Sequence, residues 1–326
     1  MVKSQFLVDF TPPSINSLAA HLVEGDLVAF PTETVYGLGA DACNATAVAR
    51  IYEVKGRPAD HPLIIHISSI RNIAEWAVGI PDYAFKLAKE FWPGPMTLVL
   101  KRSELAGDFI TGGQETIGVR VPDHAAALAL LNAFERLGGK GIAAPSANRF
   151  GHVSPTNAAA VIGELGKFLG RRDAVLDGGA CFIGVESTII DCTGELPKIL
   201  RPGAISDAMI RKCTQLEVAK SVSEIRVSGS LDSHYAPNAR VFLDQIAKSG
   251  QGLLALKEIP TPDGVVRLAE PKNTEEFARV LYSSFREADL KSLSEIVVIQ
   301  PTGNDIAVAI RDRLKKAANH QELSLD

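Results

Sequence analysis

Cysteine is scarce in this chain, and none of Cys43, Cys181, Cys192 and Cys213 stands in a C-x-x-C pair. Four thiols in 326 residues are too few for a disulfide scaffold, so reduced and mostly buried cysteines are expected. No long apolar run opens the N-terminus and none later reaches the length of a membrane span, which points away from a membrane and toward a cytoplasmic protein. A charge excess is lacking too: 34 basic side chains face 38 acidic ones, so nothing global draws the chain to nucleic acid or anionic lipid. Any anion must be met locally. The Walker pattern G-x-x-x-x-G-K-[ST] is missing, and the glycines fit no Rossmann fingerprint.

What is present is a hydrophobic share of 46% and a length beyond that of most single cores, so two domains of unequal size are expected. The pattern alternates between helix and strand. Pro13 and Ser14 open a helix through Ile15, Leu18 and Leu22, and Leu27 to Phe30 reads as a buried strand. Asn44 caps a helix that Gly56 ends near Lys55. Strands follow at Leu63 to Ile67, Met96 to Leu100, Ile117 to Val121, Ile142 to Ala144, Ser187 to Asp191 and Lys198 to Leu200. Helices fit Pro81 to Phe91 and the stretches after Asp123 and Pro155. The expectation is an α/β domain over residues 1–210 with a twisted mixed sheet. An ordered linker spans 211–237. A smaller Rossmann-like parallel α/β domain occupies 238–326, with strands at Val241 to Leu243, Leu253 to Leu256, Val265 to Arg267 and Ile296 to Ile299.

Several segments at strand ends carry polar chemistry. Pro31-Thr32-Glu33-Thr34-Val35-Tyr36-Gly37-Leu38-Gly39 follows a buried strand and reads equally as a polar loop or as a ligand-binding strand end. Lys55 suits the last turn of a helix, where it offsets the dipole. Arg57, held extended before Pro58, adds a planar fork beside that point charge, a fitting clamp for phosphate oxygens. Arg120 stands inside a strand pattern, where it snorkels or pairs with a buried anion. Ala144 to Asn148 permits close backbone approach, and Ser154-Pro155 reads as a helix start with serine as N-cap. Most have an ordinary structural explanation alone, though helix termination accounts for Lys55 and not for Arg57. Their concentration in one domain has no such explanation.

Taken in order, Pro31 to Gly39, Lys55-Gly56-Arg57-Pro58, Trp92-Pro93-Gly94-Pro95-Met96-Thr97, Val119-Arg120-Val121-Pro122, Ala144 to Asn148, Glu186-Ser187-Thr188 and Leu200 to Gly203 resemble the YrdC-like family over about residues 10–208. With His234-Tyr235-Ala236-Pro237 downstream, the chain is similar to the long, two-domain threonylcarbamoyl-AMP synthases. The resemblance implies that L-threonine, bicarbonate or CO2, and ATP assisted by Mg2+ give threonylcarbamoyl-AMP and pyrophosphate. That product serves N6-threonylcarbamoyladenosine formation in tRNA, with hand-off to a separate transferase and direct tRNA contact not required. It implies Lys55 and Arg57 as catalytic cations, and Thr34, His66, Arg120, Ala144 and Ser187 around threonine. Arg57, His61, Thr116, Ser146, Ser154, Arg201 and Tyr235 fall on the ATP side, with Tyr235 in a lid formed by the linker. No residue is assigned to a metal.

The chain departs from the family pattern at His61, where many relatives have Asn, at Phe150, where many have a small or polar residue, and at Leu231-Asp232-Ser233, where many linkers are more basic. Two other readings compete: an RNA-binding module, and a carbamoyl-transfer unit of the hydrogenase-maturation type. The first meets the near-neutral charge balance and the lack of aromatic stacking motifs. The second meets the absence of acylphosphatase and zinc-finger segments.

Overall fold

A computed structural model describes residues 5–220, 224–229 and 235–319. His234 and Leu231-Asp232-Ser233 lie outside the described residues. The larger sheet is mixed. Its main path runs through the strands Leu7–Asp9, Ala174–Asp177, Val28–Phe30, Gly37–Asp41, Ile142–Ala143, Ile64–His66, Thr116–Arg120, Met96–Arg102, Thr188–Asp191 and Lys198–Arg201. It combines parallel pairs such as Ile64–His66 on Thr116–Arg120 with antiparallel ones such as Thr116–Arg120 on Met96–Arg102. The smaller sheet, in the order Arg240–Leu243, Glu295–Val298, Gly252–Leu254, Val266–Ala269, is parallel throughout.

Local chemistry explains the elements that place the site. The helix Ala45–Lys55 starts where the Asn44 side chain accepts from the Thr46 and Ala47 amides, and it stops at Gly56 in the left-handed region, φ 61°. Its apolar face, Val48, Ile51 and Val54, is buried in the main core. That leaves Lys55 at the sheet side of the helix terminus. The strand Gly37–Asp41 needs its glycines: a Cβ on Gly39 would stand 2.7 Å from Ile142 and 2.8 Å from Phe30. Absence of a side chain there lets neighbouring strands close.

The structure differs from the sequence expectation at several points. Gly37–Asp41 is a strand antiparallel to Val28–Phe30, so only Pro31 to Tyr36 of the segment Pro31 to Gly39 is loop. Leu7–Asp9 and Ala174–Asp177, short strands at the sheet edge and next to it, carried too little periodicity to be read. Asn157, not Ser154, caps the helix Ala158–Leu165. The helix Asp207–Thr214 runs past the expected domain end and packs on Asp82–Phe91. All four cysteines are free, but only Cys181 and Cys192 are buried.

Candidate active site

The Thr32 hydroxyl folds the loop after Val28–Phe30 into a tight turn, donating to the Val35 carbonyl (2.7 Å) and accepting from the Thr34 and Val35 amides. The segment 144–147 is then pinned against this loop, with the Leu38 amide on the Pro145 carbonyl and the Ala147 amide on the Tyr36 carbonyl. Between these strand ends lies a cavity lined by Thr34, Lys55, Arg57, His66, Arg120, Ala144, Ser146, Ser187, Arg201 and Tyr235. Ten sequence-assigned positions thus meet in one space. His61, Thr116 and Ser154 stand behind the wall: His61 packs edge-on against Phe150 at 5.3 Å, and Thr116 lies in a neighbouring recess beside Gln114 and Arg226. The Ser154 hydroxyl donates to Glu186 Oε1 at 2.7 Å.

One side of the cavity is neutral overall. Arg120 Nη2 meets Glu33 Oε1 at 2.5 Å and Thr34 Oγ1 at 3.0 Å, while the other Glu33 oxygen accepts from the Asp123 amide. Glu33 was not singled out from the sequence, although its place in the hydroxyl-rich segment marks it. The pair occupies one arm of the guanidinium, and Arg120 Nε remains buried with no hydrogen bond. Burial, reinforced by the Arg120 charge, pulls His66 down to about 3, so it is uncharged near neutrality.

The opposite side is cationic. Lys55, in the last turn of its helix, is 2% exposed, and its ammonium donates to the Ser146 carbonyl at 2.6 Å and the Asn148 carbonyl at 2.5 Å. Arg57 donates to the Pro62 carbonyl and the Ser228 hydroxyl and lies 5.7 Å from the Phe150 ring centroid. Arg201 donates to the carbonyls of Ser187 and Ser228. Burial, with Arg57 adding repulsion, holds Lys55 well below the usual lysine value, and burial brings Arg57 down to about 10. Among the described residues none of these three cations has a carboxylate partner, unlike Arg120. Such a cluster is costly when empty and favours an anion with several oxygens.

Residues 225–229 close the cationic side. Ile225 and Val227 pack near Val99 and Ile189, and Gln114 forms a two-way clamp on Arg226, donating to its carbonyl (3.0 Å) and accepting from its amide (2.8 Å). Tyr235 enters from the same linker with φ 64° and is buried on Tyr282, ring centroids 5.9 Å apart.

Comparison with known proteins agrees with this architecture. A family model described as "Telomere recombination" (Sua5_yciO_yrdC) matches residues 20–203, and one described as "Threonylcarbamoyl-AMP synthase, C-terminal domain" matches residues 205–319. The chain belongs to the threonylcarbamoyl-AMP synthase family, in its two-domain Sua5 form. A threonylcarbamoyl-AMP synthase of Pyrococcus abyssi is 40% identical, with 94% of each chain covered. One from Bacillus subtilis is 38% identical over 94% of this chain and 93% of its own. The crystal structure of P. abyssi Sua5 complexed with L-threonine superimposes with a TM-score of 0.86 at 37% identity, covering 97% of this chain and 98% of that one. A second P. abyssi Sua5 structure, of the H234A/Y235A protein, gives 0.85 at 37% identity over 97% and 96%.

Proposed function

We propose that the chain joins L-threonine, bicarbonate or CO2, and ATP into threonylcarbamoyl-AMP, releasing pyrophosphate, and so supplies a separate transferase that modifies tRNA. The observation that carries this reading is the split cavity: three buried cations without carboxylate partners face a neutral pocket of Thr34, His66 and the Arg120–Glu33 pair. Relatives bearing the synthase name, and the L-threonine complex of a Sua5 protein, support the choice of substrates.

In this reading the threonine carboxylate meets Arg120, whose fork Glu33 orients, and the amine lies beside His66 and the Ala144 backbone. The neutral amine nitrogen bonds to the carbon of CO2 and gives its proton to solvent, leaving a carbamate, and a carbamate oxygen then attacks the α-phosphorus while the bond to the β-phosphate oxygen breaks and pyrophosphate leaves. No protein nucleophile takes part. Lys55, Arg57 and Arg201 meet the charge on the phosphates and on departing pyrophosphate, so positioning and electrostatics supply the rate. Ser228 and Tyr235 cover that side and keep water from the mixed anhydride.

The one carboxylate lining the cavity does not suit Mg2+, since Glu186 is committed to Arg313, and Glu33 behind the wall is committed to Arg120; no cluster of three or more His, Cys, Asp or Glu among the described residues could hold a metal ion. Mg2+ expected with ATP would therefore be held mainly by the phosphates and water and not by a carboxylate cluster of this cavity. The test is pyrophosphate release with each substrate omitted in turn. Release must require threonine and bicarbonate together, and release with ATP alone would refute the reading.

A further inference from the structure

The cavity wall is held from outside by the smaller domain. Arg313, on the helix Ile306–Asn319, is fully buried. Its Nε donates to Glu186 Oε2 at 2.8 Å, its Nη2 to the Pro202 carbonyl at 3.0 Å, and its Nη1 to Asp312 at 2.5 Å. The guanidinium carbon lies 5.2 Å from the Tyr235 ring centroid. Glu186 itself lines the cavity, and it also accepts from the Tyr282 hydroxyl at 2.9 Å and from Ser154. One fork from the smaller domain therefore grips the residue before Ser187, the residue after Arg201, and the face of Tyr235. Lys316, on the same helix, holds the Gly229 carbonyl at 2.8 Å, next to Ser228 over the site.

We propose that Arg313 is a positioning residue for the nucleotide side of the cavity, through which the smaller domain sets Arg201 and Tyr235 in their binding geometry. This rests on the reading that the cationic side takes ATP. The contacts are selective. Thr34, His66, Arg120 and Ala144 lie on strands and loops that Arg313 does not touch, and the Ser187 hydroxyl, which accepts from Arg201 Nη2 at 3.2 Å, has a second anchor in the Thr97 hydroxyl at 2.8 Å. A planar fork is needed because one group must satisfy Glu186 and Pro202 at once. A lysine keeps the charge beside Glu186 but loses the fixed geometry.

The experiment is calorimetric binding of ATP and of L-threonine to the full chain, separately, for wild type, Arg313→Lys and the pair Arg313→Met with Glu186→Gln, alongside thermal unfolding. Arg313→Met alone leaves a buried carboxylate uncompensated, which the paired change relieves. In both variants ATP affinity should fall by about tenfold or more while threonine affinity stays within about twofold, even where the unfolding temperature returns to the wild-type value. ATP affinity that recovers together with stability, or equal loss for both ligands, would show a purely structural role and overturn the proposal. Binding is read without turnover, so a wild type that binds ATP but makes no product would sink the synthase reading and leave this inference standing. A wild type that binds no ATP sinks the inference.

Discussion

The chemistry of the cavity rests on how few of its charges are cancelled. Arg120 has Glu33, whereas Lys55, Arg57 and Arg201 lean only on carbonyls and hydroxyls, so an incoming triphosphate replaces weak partners with strong ones. Lys55→Ala and Arg57→Ala should each lower kcat/KM by at least about a hundredfold, on the scale of one lost transition-state donor; steady-state pyrophosphate release checks this, and wild-type rates in either variant would refute the assignment. Because both side chains are buried, their unfolding midpoints must be measured beside the kinetics. His66 makes a separate prediction. Its folded value, about 3 against an ordinary 6.5, lies low because it is buried beside Arg120. Between those values the unfolded chain binds a proton that the folded chain does not, so stability falls as pH drops from about 6.5 toward about 3. His66→Gln should flatten that part of the pH–stability curve in urea unfolding, and an unchanged slope would contradict the account.

At the level of elements, periodicity and capping made the long helices and β-branched strands readable: the Asn44 side chain opens Ala45–Lys55 and Gly56, free of a Cβ, closes it in the left-handed region. Short strands of glycine and alanine, such as Gly37–Asp41, give no such pattern, because close strand approach and not side-chain burial defines them. The site segments were legible because cations and hydroxyls gathered at strand ends. The Glu33 and Glu186 pairings were not, since each joins residues far apart in sequence. A signal for Arg313 existed: it falls on the apolar stripe of Ile306, Ile310, Leu314 and Ala317, where an unpaired charge has no place. The linker has its own anchor. Gln114→Ala removes both hydrogen bonds to Arg226, of about 1 kcal/mol each, and leaves the cavity lining intact. It should weaken ATP binding and speed loss of the intermediate to water, read as AMP formed per pyrophosphate released without transferase. An unchanged ratio would remove the closing role from residues 225–229.

Over the whole molecule, a chain of net charge −4 gathers three buried cations without carboxylate partners in one cavity and covers that cavity with a linker held from both domains. The division proposed here gives the large sheet both substrates and the small sheet the geometry of one. No helix among the described residues is long and apolar enough to cross a membrane. The central claim is that the cavity joins a carboxylated threonine to an adenylate. Incubation of the full chain with labelled bicarbonate, threonine and ATP, followed by chromatography of the nucleotide fraction, tests it most directly. The label should appear in a product that also contains threonine and AMP, and its formation should match pyrophosphate release. Pyrophosphate released while all label stays in bicarbonate would contradict the account.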